Sequence, residues 1–176
     1  MTRMNEIKIR YAGTANDSIV DGPGLRFCIF TQGCPHKCPG CHNPQTHDFN
    51  GGKTADLSFF TEKIRNNPLL DGVTFSGGEP FCQAKALAAL AHELKDTDLN
   101  IVTYTGYTYE YLISNADESN GFMELLECTD ILIDGPFIQE LKSIELKFRG
   151  SSNQRIIDCR KSLETGTVAG IDPDTL

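Results

Sequence analysis

Four short apolar runs, separated by segments of helical periodicity, constrain the fold of this 176-residue chain more than any other feature. Leu25 to Thr31, Gly72 to Phe75, Asn100 to Tyr104 and Ile131 to Ile133 have the length and the bounding turns of buried strands. Between them Leu57, Phe60 and Ile64 recur at helical spacing, and Pro68 closes that segment. Leu87, Leu90, Ala91 and Leu94 form one face of a second helix. A third is expected through Tyr111 and Leu112, and a short fourth over Phe122 to Leu126. Strands alternating with helices predict right-handed β-α-β units, and so an α/β fold with a mainly parallel sheet. A closed eightfold barrel needs about 250 residues. The expectation is therefore an open, partial (β/α) barrel, whose open side leaves room for a large partner. One domain is expected over residues 1–176, with its core at about 21–158. The polar tail at about 162–176, with Gly166, Gly170 and Pro173, is expected to be loosely ordered.

Parallel α/β sheets place their sites at the carboxyl ends of the strands. Every distinctive motif of the chain falls at such an end: Gly33 to Cys41, Ser76 to Pro80, Tyr104 to Gly106, and Asp134 to Pro136. The motifs are expected to converge on one rim and to share one active site.

Composition narrows the function classes. Sixteen Lys and Arg against 24 Asp and Glu give a formal charge of −8, which argues against a nucleic-acid binder. No apolar run approaches a membrane span, and Met1 to Glu6 lack the apolar core of a signal peptide. Seven cysteines without a secretory signal point to a reducing cytosol, where they serve as ligands or buried apolar groups. A cytoplasmic protein is expected.

Three of those cysteines, Cys34, Cys38 and Cys41, stand in a C-x3-C-x2-C run. A cuboidal iron–sulfur cluster normally takes four cysteines. Three would leave one iron without a protein ligand, as in a cluster that does chemistry. A structural zinc site with His36 or His42 as fourth ligand is the other reading of the same spacing. Cys28, Cys82, Cys128 and Cys159 are scattered and read as structural, with a reservation for Cys82 beside a glycine motif. That motif, Ser76-Gly77-Gly78-Glu79-Pro80, follows a predicted strand. Its simplest reading is a tight turn before a helix. Two glycines would also let a ligand approach the backbone, and Glu79 would offer a carboxylate to a cationic group such as an α-ammonium.

Together the cysteine run and Gly77-Gly78-Glu79 resemble the radical S-adenosylmethionine (SAM) enzymes. Asp21-Gly22-Pro23-Gly24-Leu25-Arg26 is similar to the signature of glycyl-radical-enzyme activases within them. Cys34-x-His36-x-Cys38-Pro39-Gly40-Cys41-x-Asn43, Tyr104-Thr105-Gly106-Tyr107, Ile133-Asp134-Gly135-Pro136-Phe137 and Arg149 to Arg155 resemble the subgroup that activates anaerobic (class III) ribonucleotide reductase. The resemblance implies that Cys34, Cys38 and Cys41 ligate a [4Fe-4S] cluster. It implies that Gly40, Cys41 and His42 border SAM, with His42 in place of the aromatic residue many relatives carry before the third cysteine. Gly77, Gly78 and Glu79 would line the methionine amino group, and Thr105 and Asp134 would be further SAM contacts. Asp21 would touch the glycine-bearing loop of the partner, and Arg149 to Gln154 would bind that partner or cap the sheet. The implied activity is reductive cleavage of SAM to a 5′-deoxyadenosyl radical, which takes hydrogen from a glycine of the reductase large subunit. Flavodoxin or ferredoxin would supply the electron. The alternatives are a radical SAM enzyme acting on a free metabolite, in the manner of a deazaguanine synthase, and a zinc-stabilised interaction module without catalysis.

Overall fold

The four predicted strands form, and they lie side by side in the order of the sequence. The computed structural model describes residues 6–176. It contains one seven-stranded sheet built from β1 (Lys8–Ser18), β2 (Arg26–Thr31), β3 (Lys53–Asp56), β4 (Gly72–Gly77), β5 (Asn100–Tyr104), β6 (Ile131–Asp134) and β7 (Arg155–Asp158). The order is β3-β1-β2-β4-β5-β6-β7. β2, β4, β5 and β6 are parallel neighbours, the arrangement expected when helical crossovers join them. β1 and β7 run against them, and β3 pairs antiparallel to β1, so five of the seven strands share one direction. The sheet is thus mixed α/β, mostly parallel at its centre and antiparallel at both edges.

The crossovers are α1 (Leu57–Arg65), α2 (Ala84–Glu93), and the pair α3 (Tyr109–Asn115) and α4 (Phe122–Cys128); α5 (Cys159–Thr165) follows β7. Each buries the face its periodicity announced. Leu57, Phe60 and Ile64 of α1 and Leu87, Leu90 and Ala91 of α2 join Phe27, Ile29, Val73, Phe75, Ile101 and Leu132 of the strands in one core. Removing such side chains from water stabilises the fold by roughly 1.5–3 kcal/mol each. Successive strand residues point to opposite faces. Val102, Ile133 and Ile156 accordingly form a second, smaller cluster on the other face, covered by Phe148 and Ile171 rather than by a helix. Arg26 and Thr74 are buried on that face too.

Three strands escape the apolar signal. β1 carries few apolar residues and is irregular, with register shifts between Tyr11 and Gly13 and between Ala15 and Ser18. β3 is a short edge strand, and β7 spans only Arg155–Asp158. β1 also lies before the core boundary expected at residue 21. The tail differs from expectation as well. Its backbone is tied to β7 by hydrogen bonds from Asp158 N to Ala169 O (2.8 Å) and from Ile171 N to Ile156 O (2.8 Å). The fully buried Ser162 hydroxyl donates to Asp158 O and accepts from Ala169 N, which fixes the turn between α5 and this segment. No helix among the described residues is long and apolar enough to cross a membrane.

Candidate active site

At the carboxyl ends of the parallel strands, the loops enclose a cleft of about 330 Å³. Cys34, Cys38 and Cys41 line it, as do His42, Gly77, Gly78, Thr105 and Asp21. The fold therefore brings eight of the eleven predicted site residues to one place.

The cysteine loop is held by the chain on either side of it. Gly33 N donates to Thr46 O (2.7 Å) and Cys34 N to His47 O (3.3 Å), so residues 33–47 close on themselves. The buried Gln32 amide clamps the far end by donating to Gln45 O (3.0 Å) and Asp48 O (2.7 Å). Lys37 and Gly40 both have positive φ (47° and 73°), which turns the backbone twice and presents all three thiols to the cleft. Cys34 is buried, and its thiol is pushed above its usual pKa chiefly by that burial. Among the described residues, no three His, Cys, Asp or Glu side chains converge on a point that one ion could occupy. A four-iron cluster takes each thiolate on a different iron and suits thiols spread around a cavity.

Three predicted residues lie elsewhere than expected. Glu79 is fully buried, and its carboxylate is taken up by the protein. It accepts from Phe81 N (2.9 Å), Gly106 N (2.9 Å), Thr105 Oγ1 (2.9 and 3.0 Å) and His36 Nε2 (2.5 Å). A carboxylate has about four lone-pair sites, so none is left for a ligand's ammonium. Asp134, only 1% exposed, accepts from Tyr109 N at the start of α3 (2.7 Å) and from Arg155 Nε (2.9 Å). It anchors β7 and α3 to β6, and the neighbouring Gly135 lines the cleft in its stead. Gly40 does not line the cleft. A Cβ there would lie 2.8 Å from Gln139 Cδ, so the close approach of that side chain and the positive φ explain the glycine.

Gly77 and Gly78 do line the cleft, yet protein packing already demands them. A Cβ on Gly77 would lie 2.5 Å from Phe30 C, at φ +91°, and one on Gly78 2.5 Å from Gly33 O. Gly77→Ala is expected to destabilise the fold by about 1–3 kcal/mol from backbone strain alone. A denaturation midpoint equal to wild type would contradict this account.

Sequence reasoning missed part of the wall. Phe137 packs on His42 with ring centroids 5.0 Å apart. Phe148 and Arg149 close the cleft from the loop before β7, where Tyr104 Oη donates to Phe148 O (2.7 Å). Arg149 Nε is buried without a partner. The same segment also caps the sheet: Gln154 accepts from Gly150 N and Ser151 N and donates to Gly135 O. Phe137 and Arg149 lay within motifs already singled out, but nothing in their spacing distinguished a lining role from a capping one. Of the remaining cysteines, Cys28 and Cys159 are buried as expected, Cys128 is half-buried, and Cys82 is exposed.

Comparison with known proteins agrees with this geometry. A family model described as a 4Fe-4S single cluster domain matches residues 20–157. The chain is 34% identical over 149 residues to the anaerobic ribonucleoside-triphosphate reductase-activating protein of Salmonella typhimurium, covering 77% of this chain and 90% of that protein. The protein of the same name from Escherichia coli K12 is 34% identical over 148 residues, with the same coverage. That of Enterobacteria phage T4 is 30% identical over 143 residues, covering 78% of this chain and 86% of its own. Among solved structures, QueE from Escherichia coli aligns at a TM-score of 0.47 with 16% identity, over 60% of this chain and 55% of that one, too distant to carry an argument. With three thiols on one cleft, a cluster-domain match across most of its length and relatives of one name covering nine-tenths of their own, this chain belongs to the family of anaerobic ribonucleoside-triphosphate reductase-activating proteins.

Proposed function

We propose that this protein activates an anaerobic ribonucleotide reductase by generating a radical on a glycine of its large subunit. The observation that carries the reading is the meeting of Cys34, Cys38 and Cys41 with the Gly77-Gly78 backbone in one open cleft. Cys34, Cys38 and Cys41 hold a [4Fe-4S] cluster, and the missing fourth thiolate leaves a coordination position for SAM. When bound, such a cluster would supply the one-electron reduction that splits SAM into methionine and a 5′-deoxyadenosyl radical, the species that would take the glycine hydrogen.

The protein's share is binding, orientation and exclusion of side reactions. The backbone of Gly77 and Gly78 lines the cleft beside the thiols and receives the methionine moiety. His42 and Phe137 form an aromatic wall for the adenine. Thr105 lines the same cleft, although its hydroxyl is bound to Glu79. Asp21 lines the same cleft, where its carboxylate accepts from Ser18 Oγ, and on this reading it meets the incoming glycine loop. Val20, 71% exposed on the same turn, extends that meeting surface. On this reading the mixed sheet is an open partial barrel, whose open side receives the reductase. Flavodoxin or ferredoxin supplies the electron, in the cytoplasm of an anaerobically growing host.

The test is an anaerobic electron paramagnetic resonance spectrum of reconstituted protein with a strong reductant, SAM and the class III reductase of the same organism. The expected result is a glycyl-radical doublet that disappears when SAM is omitted. A reduced-cluster signal with SAM cleavage but no glycyl radical would overturn the choice of partner and favour a small-molecule substrate.

A further inference from the structure

We infer that His36 is a positioning residue that, through Glu79, pins the loop carrying Cys34 and Cys38 to the ends of β4 and β5, so that Glu79 serves the cluster and not the substrate. The inference rests on the cluster assignment above but not on the identity of the partner.

His36 stands two residues from each of these two cysteines, and three groups from other elements fix its ring. Glu79 Oε2 receives Nε2 at 2.5 Å. Tyr107 packs edge-on to the ring at 4.5 Å between centroids. Gly106 leaves the space the ring fills, since a Cβ there would lie 2.5 Å from His36 Cδ2. Glu79 is fixed in turn by Thr105, by the Gly106 and Phe81 amides, and by its own N–H, which donates to Gly33 O (2.9 Å) just before Cys34. The His36 side chain is 17% exposed and that of Glu79 is 0% exposed, so the contact is shielded from water. A buried carboxylate deprived of a partner is strongly destabilised. The pair is therefore a rigid link between the strand ends and two of the three ligands. Groups that orient metal ligands from behind commonly account for 10- to 100-fold in metal retention.

The test compares reconstituted wild type with His36→Phe, His36→Gln, Glu79→Gln and the double variant His36→Phe/Glu79→Gln. Two quantities are read: the rate of iron loss to a ferrous chelator, and the dissociation constant of SAM per loaded cluster. His36→Phe and Glu79→Gln are each expected to speed iron loss by about 10- to 100-fold. The double variant should be no faster than the faster single one, because both break the same link. His36→Gln keeps a side-chain N–H and should restore most of the retention, which generic loop damage would not. His36 also lines the cleft, so SAM affinity is read on Glu79→Gln alone, where it should stay at the wild-type value per loaded cluster. Wild-type iron retention in Glu79→Gln together with a tenfold loss of SAM affinity would overturn the inference and return Glu79 to the substrate. Should Glu79→Gln not fold, equal iron retention in His36→Phe and His36→Gln would overturn it as well. A wild-type protein that takes up no iron would remove both this inference and the reading beneath it. A loaded cluster without a glycyl radical would remove only the choice of partner.

Discussion

Cys38→Ala is expected to be colourless after anaerobic reconstitution and to release no methionine from SAM. Two remaining thiols, Cys34 and Cys41, cannot anchor a cluster that normally takes four and is already one short. Cys38 is half-buried on a loop whose backbone is closed by residues 43–47. Its loss should therefore leave the apoprotein's folding midpoint within about 0.5 kcal/mol of wild type, as for other surface changes. Cys82→Ala provides the control. Cys82 is exposed and absent from the cleft lining, so that variant should keep about four iron per chain and full turnover. Iron and sulfide analysis with a methionine assay decides the matter. Wild-type SAM cleavage by Cys38→Ala would refute the cluster assignment.

Arg26→Met is expected to destabilise the fold by at least about 1–3 kcal/mol, the cost of leaving a buried acceptor without its donor. Arg26 is fully buried on the sheet face opposite the helices, with no ion pair to a carboxylate among the described residues. Its guanidinium donates instead to Thr74 Oγ1 (2.6 Å), Pro23 O (2.8 Å), Val73 O (2.9 Å) and Asn100 O (3.1 Å). Burial lowers its pKa to about 10, so it remains charged at neutral pH. Methionine would fill much of the volume and leave these acceptors unpaired. Lysine should fail too, because three donors at one point cannot reach carbonyls spread over three segments. The network also supports the lining of the cleft. It holds the Pro23 carbonyl, while Thr74 donates to Asp21 O (2.8 Å), so the Asp21 loop rests on Arg26. Chemical denaturation of the apoprotein measures the loss. A change below about 1 kcal/mol, the typical effect of an ordinary substitution, would show that the network is not needed.

The central strands, α1 to α4 and the gathering of motifs at strand ends were legible because each rests on local chemistry. Buried parallel strands read as short apolar runs, and amphipathic helices repeat at 3.6 residues. The edges were not legible. β1, β3 and β7 carry few apolar residues, too few to announce a strand, although Ile9 and Tyr11 of β1 and Ile156 and Ile157 of β7 are buried; they pair where neighbouring strands offer unmet hydrogen bonds. The tail likewise turned on one buried hydroxyl, Ser162, whose two partners no spacing rule announces.

The same division runs through the site. Cys34, Cys38 and Cys41 are one loop, so their spacing alone limited the chemistry to a few metal groups. Chain direction and β-α-β handedness then placed that loop beside Gly77 and Gly78. The direction in which a buried carboxylate points was beyond such reasoning. Glu79 and Asp134 both sit at strand ends facing a cleft, yet each turned toward donors from distant segments, His36 and Thr105 for one and Arg155 and Tyr109 N for the other. Residue type and spacing specify which groups are available at a rim. Which of them stay free for a ligand depends on whether packing delivers a protein donor first, because a charge withdrawn from water must be paired by whatever the fold brings within about 3 Å.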